Sequence, residues 1–332
     1  MIAISELSQD HEVNEECLLI FLSSVFIDTE IEYEKKPVMY QGSADSVIYI
    51  FKLRKSQCQP GLHLVLKILP EGKNASSFYR INHATDTLLR LGLKIPKIYA
   101  VGISQDVLGG SFILMEYLIG ASLLSYPMFL QTDILGRSHA SMHNIDYQPL
   151  IKQFSSQNIN EDQYLGSLII PSRLAYVAQR IPDMLPVVEW CLRHSNLWEE
   201  DICICHGDYY PGNILMNKNK ISGILDWGFS LSSALMDIAW TLTLLSPPSV
   251  IKSDQYPEFM NISSHAAAYL KAYQQQESLD LDINKIMQCR VVSSVFGLYF
   301  HRYKLNPFFA QKAVKIQFQD YIQCMTGIDI DH

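Results

Sequence analysis

A change of texture near Gly120 limits the folds open to this chain. Before it, short runs rich in Val, Ile and Tyr recur between Gly and Pro, over residues 38–40, 46–53, 62–69, 98–103 and 112–116, and read as strands. A single helix interrupts them over about residues 74–91, with Phe78, Ile81, Thr85 and Leu88 on one face and Asn74 placed to cap it. Three strands, a helix and two strands describe a small lobe built on an antiparallel sheet. Beyond Gly120, helical spacing takes over across about 128–143, 161–180, 183–197, 235–245, 256–275, 284–302 and 307–324. Two short strands, 214–216 and 221–225, flank Asn217-Lys218-Asn219-Lys220 and predict a hairpin inside this otherwise helical region.

Charge narrows the class of partner. With 26 Lys and Arg against 34 Asp and Glu, the 332 residues carry a formal −8, and no basic stripe is available to neutralise the phosphates of a nucleic acid. A composition 48% hydrophobic and 18% charged excludes a disordered or fibrous chain. The apolar stretch 17–27 follows Glu12, Glu15 and Glu16 and is too short to span a bilayer, so it reads as part of an N-terminal helix, and a cytoplasmic protein is expected. Seven scattered cysteines without a secretory leader point to reduced thiols. Cys203 and Cys205, in an apolar β-branched run, read as small buried hydrophobes on a strand, because no second Cys or His pair stands at zinc spacing. His139 and His143, four apart on a helix without an adjacent Glu, read as surface or packing histidines.

Chemistry concentrates around the hairpin. Before it stands His206-Gly207-Asp208-Tyr209-Tyr210-Pro211-Gly212-Asn213, and after it Asp226-Trp227-Gly228. A carboxylate, an amide five residues on and a second carboxylate across a tight turn can converge on one cleft, where two oxygen ligands hold Mg²⁺ and one carboxylate is left over. That order follows the logic of phosphoryl transfer, in which an Asp accepts a hydroxyl proton and an Asn and a second Asp bind the metal. His-Gly-Asp, four residues and Asn arise by chance on the order of once per thousand chains of this length. The competing reading is a polar turn in which these side chains satisfy local backbone groups. Lys67, inside the apolar run 62–69, either meets an ionised phosphate or snorkels from a strand edge.

On these residues the chain resembles the aminoglycoside phosphotransferase family, small-molecule kinases of the protein-kinase-like fold, over about residues 38–325. The resemblance implies an α+β, two-lobed architecture: a small antiparallel-sheet, nucleotide-binding N-lobe over 1–115, a hinge at 116–120 and a larger, mainly helical C-lobe over 121–332 that carries catalysis and acceptor binding. It implies Asp208 as catalytic base, Asn213 and Asp226 as Mg²⁺ ligands, His206 as a support of the loop and Asp237 as its brace from the following helix. Upstream it implies that Gly42, Ser43 and Ala44 position the nucleotide through backbone N–H groups, that Lys67 grips the α and β phosphates, and that the Glu116 carbonyl and Leu118 amide meet the adenine edge. Taken alone, the one-glycine turn suits an ordinary hairpin as well. The family's helix Glu that orients this Lys has no counterpart, since residues 74–91 contain no Glu; Asn82 and Asp86 flank the apolar face instead.

Gly207 stands where protein kinases carry Arg, and only ten residues separate Asp226 from Asp237, which leaves no room for an activation segment. The expected acceptor is therefore a small alcohol and the expected donor ATP or GTP. Aromatic residues in the C-terminal helices, with the negative overall charge, suit a cationic or sugar-like acceptor. Two competing readings are a non-catalytic kinase-like binding or interaction module, disfavoured by the presence of Lys67, Asp208, Asn213 and Asp226 together, and an atypical protein kinase, disfavoured by the missing segment.

Overall fold

The computed structural model describes residues 14–40, 46–54, 61–70, 75–104, 108–199, 201–247, 263–277, 281–305 and 307–330. The chain divides into two compact units, Met1–Leu89 with Ile95–Ile119, and Arg90–Lys94 with Gly120–His332.

In the first unit α1 (Glu15–Phe26) starts at Asn14, whose side chain accepts from the amides of Glu16 and Cys17 and so satisfies two donors of the first turn. Strands β1 (Tyr33–Tyr40), β2 (Val47–Leu53), β3 (His63–Pro70), β4 (Ile98–Ser104) and β5 (Gly110–Glu116) form one antiparallel sheet in the order β1-β2-β3-β5-β4. Alternation decides its faces. Tyr49, Phe51 and Leu53 of β2 and Leu64, Leu66 and Ile68 of β3 are buried with Leu18 and Leu22 of α1. Lys67 falls on the opposite phase, in register with Ile48 and Ile113, and is half-buried. Helix α2 (Ser76–Arg90) buries Phe78, Ile81, Ala84, Thr85 and Leu88 and leaves Asn82 and Asp86 exposed.

In the second unit β6 (Ala121–Ser122) leads into α3 (Met128–His143), α4 (Gln148–Ser156), α5 (Gly166–Arg180), α6 (Leu185–Arg193) and the single turn α7 (Asn196–Glu199). Then come β7 (Ile202–Cys205), the hairpin β8 (Ile214–Asn217) and β9 (Lys220–Ile224), and β10 (Ser230–Ser233). Four helices finish the chain: α8 (Ala234–Leu245), α9 (Ser264–Glu277), α10 (Ile283–Arg302) and α11 (Lys312–Thr326). Lys218 and Asn219 at the hairpin tip have φ of 50° and 61°, the left-handed pair that a two-residue turn between twisted strands requires. β7 pairs with β10, and β6-β8-β9 form a separate sheet.

Helices α3 and α9 approach closely because Gly136 has no side chain: a Cβ there would stand 2.7 Å from Ala272 Cβ and 2.8 Å from the Tyr273 amide nitrogen. The expected helix over 183–197 is divided at His194 and Ser195 into α6 and α7. Among the described residues, no helix is long and apolar enough to cross a membrane. Of the described cysteines, all free, Cys191, Cys203, Cys205 and Cys289 are buried, Cys324 is half-buried and Cys17 is exposed.

Candidate active site

β7 delivers the chain to His206 and the loop turns at Gly207, whose φ of +82° is the left-handed conformation that glycine adopts without a Cβ penalty. Three hydrogen bonds stitch this loop to the segment after the hairpin. The Gly228 amide donates to the His206 carbonyl at 2.8 Å, the His206 ring to the Leu225 carbonyl at 2.8 Å, and the Leu225 amide to the Asn213 carbonyl at 2.8 Å. Two motifs separated by a hairpin thus meet as one backbone unit.

The His206 ring is fully buried. Its Nδ1 accepts the Asp208 amide at 3.1 Å, which fixes the proton on Nε2 and the ring as neutral. Burial pushes its pKa down to about 4.

Asp237, at the start of α8, fixes the loop from below. Its Oδ2 accepts the His206 amide at 2.7 Å and its Oδ1 the Gly207 amide at 2.8 Å. The same Oδ2 faces Nε2 of His139 at 3.0 Å and of His143 at 3.3 Å. Because a carboxylate only accepts, both rings donate from Nε2; Nδ1 of the neutral His139 accepts the Tyr269 hydroxyl and Nδ1 of His143 meets the Tyr273 hydroxyl, each at 2.7 Å. The (i, i+4) histidines of α3 therefore match the (i, i+4) tyrosines of α9, on the faces Gly136 brings together. Burial alone would raise the Asp237 pKa; the two histidine hydrogen bonds hold it well below the usual carboxylate range.

The histidines that spacing assigned to surface or packing are thus buried members of a polar network. His143, Cys203 and Cys205 also bring donor atoms within 4.8 Å of one another. Ordinary hydrogen bonds account for this cluster, since both nitrogens of His143 are engaged and the Cys205 thiol donates to the Ser232 carbonyl.

Asp208 is half-buried and its carboxylate is held at both oxygens. Oδ2 accepts Asn213 Nδ2 at 3.0 Å and Oδ1 accepts the Trp240 indole N–H at 3.3 Å. The same Asn213 nitrogen donates to the Asp208 carbonyl at 2.9 Å, which turns the amide oxygen of Asn213 away from Asp208. Asp226 is exposed, at φ +55°, a conformation its short side chain tolerates. Burial, then the charges of Asp208 and Asp226, raise the pKa of the Tyr210 phenol. Its ring lies over Gly212, where no Cβ would fit. The amide oxygen of Asn213, turned away from Asp208, and the exposed carboxylate of Asp226 are hard donors of the kind that Mg²⁺ prefers.

Of the residues expected at the site, Asp208, Asn213 and Asp226 lie in the second unit and Lys67, Glu116 and Leu118 in the first, while Gly42, Ser43 and Ala44 fall outside the described residues. Sequence reasoning did not identify Trp240 as a partner of Asp208, nor the histidine pair as a partner of Asp237.

The Phosphotransferase enzyme family profile matches residues 49–277. No curated protein matches the chain in sequence. Among solved structures, an aminoglycoside-3′-phosphotransferase of type VIII aligns at 17% identity over 86% of this chain and 100% of its own, with a TM-score of 0.56. A macrolide 2′-phosphotransferase of type I aligns at 14% identity over 93% of this chain and 99% of its own, with a TM-score of 0.53. A thermostable mutant of an aminoglycoside phosphotransferase, solved as a ternary complex with ADP and hygromycin B, aligns at 11% identity over 92% and 98%, with a TM-score of 0.56. At these identities the likeness is one of fold, an antiparallel-sheet unit followed by a mainly helical one.

Proposed function

The chain belongs to the phosphotransferase enzyme family and is a kinase-type enzyme acting on the hydroxyl of a small molecule, and from that premise we propose that it transfers the γ-phosphoryl group of ATP with Asp208 as the base. The observation that carries this reading is the clamping of the Asp208 carboxylate between Asn213 and Trp240, in a loop whose two leading amides are fixed on Asp237. A carboxylate held in place before substrate arrives removes part of the orientational barrier to reaction. The acceptor oxygen forms a bond to phosphorus, the bond from phosphorus to the ADP oxygen breaks, and the hydroxyl proton passes to Asp208.

Asn213, through its amide oxygen, and Asp226, through its carboxylate, are the residues that would hold Mg²⁺. When bound, the ion neutralises charge on the phosphates. In the first unit, Lys67 is assigned to the α and β phosphates and the backbone of Glu116 and Leu118 to the adenine edge; Gly42, Ser43 and Ala44 are assigned to the nucleotide by resemblance. The relative solved with ADP and hygromycin B supports a nucleotide donor and a small acceptor.

The test is an ATP-consumption screen over amino sugars, macrolides, amino alcohols and sugars beside Asp208→Asn. Turnover is expected to fall about 10²- to 10⁴-fold in the variant, the usual contribution of a positioned base, while the thermal shift with ATP and Mg²⁺ survives. Turnover near the parent rate would remove Asp208 from the base role.

A further inference from the structure

The indole N–H that reaches Asp208 belongs to a ring with other neighbours. Trp240 is half-buried on α8, stacks on Phe309 with centroids 5.8 Å apart and planes at 25°, and meets the edge of Phe300 at 5.9 Å. From Phe300 the series continues to Tyr299 at 6.0 Å, and from Tyr299 to Tyr303 at 4.9 Å and Tyr176 at 6.0 Å. These rings come from α5, α8, α10 and the segment before α11, so they are not the core stripe of one helix. Phe309 is buried, whereas the other five keep part of their surface accessible.

Positive charge stands at the outer end of this ladder. The Arg180 guanidinium stands 5.1 Å from the Tyr176 ring, and the last turn of α10 carries Arg302. In a chain of net −8 the ladder thus runs from the carboxylate that takes the acceptor's proton, at Trp240, to arginine at its outer end. A polycation approaching it meets repulsion at the outer end, whereas a neutral ring face stacks on indole without that penalty.

We propose that Trp240 is the acceptor platform and selects an uncharged alcohol with a flat apolar face, of glycoside type, over a polycationic amino sugar. This rests on the phosphotransferase reading of the same site.

The full chain with AMP-PNP and Mg²⁺ is titrated with para-nitrophenyl β-glucoside and, separately, with kanamycin. Binding is followed by ligand-observed NMR on the parent, Trp240→Phe and Trp240→Leu, with the melting temperature of each as a check of folding. The glucoside is expected to bind more tightly than kanamycin, about tenfold more weakly to Trp240→Leu, and close to the parent level to Trp240→Phe. Phe300→Leu, one ring away, supplies a second weakened variant should Trp240→Leu fail to fold. Tighter binding of kanamycin, no binding of the glucoside, or an affinity unmoved by loss of the ring would each overturn the platform. AMP-PNP signals in the same sample separate the two ideas: loss of nucleotide binding defeats the phosphotransferase reading, whereas nucleotide binding without glucoside binding defeats only the platform.

Discussion

The Asp237 carboxylate accepts two backbone amides and two imidazoles without touching solvent, so both of its oxygens are engaged. Asp237→Asn keeps the shape but turns an NH₂ toward groups that are themselves donors, stranding buried amides or imidazoles. Breaking a buried charged partnership of this kind is worth about 3–5 kcal/mol, and a fall of that size is expected in urea unfolding of the variant; a change below about 1 kcal/mol would show the network to be relaxed elsewhere. The contact of Asp208 with Asn213 was readable from the sequence because it is local, made five residues apart within one loop. Trp240 was not, because its hydrogen bond to Asp208 crosses 32 residues, and helical periodicity says which face a residue takes but not which group its ring edge will reach. The same limit hid the histidine pair: a spacing of four marks a shared face, and the partner is decided by the helix that packs there.

Among the elements, α3 matches the helical spacing read over 128–143, and the hairpin follows from Asn and Lys at its tip. The strand β10 had no such signal. Its Ser-Leu-Ser-Ser sequence has little strand preference of its own and is extended because it pairs with β7, a case of tertiary context deciding. Helix α4 was overlooked although Pro149 near its start and the buried pair Leu150 and Phe154 announce it; nine residues are too few for periodicity to stand out. The α3–α9 contact carries the element-scale prediction. Gly136→Ala should destabilise the fold by about 1–3 kcal/mol through overpacking, and by moving α9 away it should loosen the hydrogen bonds of His139 and His143 to the Tyr269 and Tyr273 hydroxyls. Equilibrium unfolding gives the first quantity and hydrogen exchange along α9 the second; protection unchanged along α9 would show that the helices have room to adjust.

At the scale of the whole molecule, the two units differ in how they can be watched. All four tryptophans, at 190, 198, 227 and 240, lie in the second unit, so tryptophan fluorescence reports its unfolding. Residues Arg90–Lys94 go with that unit, tied by the Ile224 amide to the Lys94 carbonyl at 2.6 Å, a connection the sequence could not announce because its partner lies far along the chain. Acid sensitivity belongs to this scale too. His206 has an ordinary pKa of 6.5 once unfolded and about 4 when folded. As the pH falls below about 6.5 the unfolded chain takes up a proton that the folded loop refuses, so stability declines down to about pH 4. The fluorescence-detected urea midpoint should fall across that window; a flat midpoint would mean that the folded loop accepts the proton.

The distribution of thiols turns the molecule into its own counter of opening events. Burial pushes the thiol of Cys191 up to about 12 and holds those of Cys205 and Cys289 well above the ordinary range, and a protonated, enclosed thiol does not react. An alkylating reagent should therefore label Cys17 at once and these three only as often as the second unit comes apart. The later labelling rate becomes a clock for those excursions, readable by mass spectrometry without introducing any probe, and a tightly bound acceptor or nucleotide should slow that clock in proportion to its occupancy.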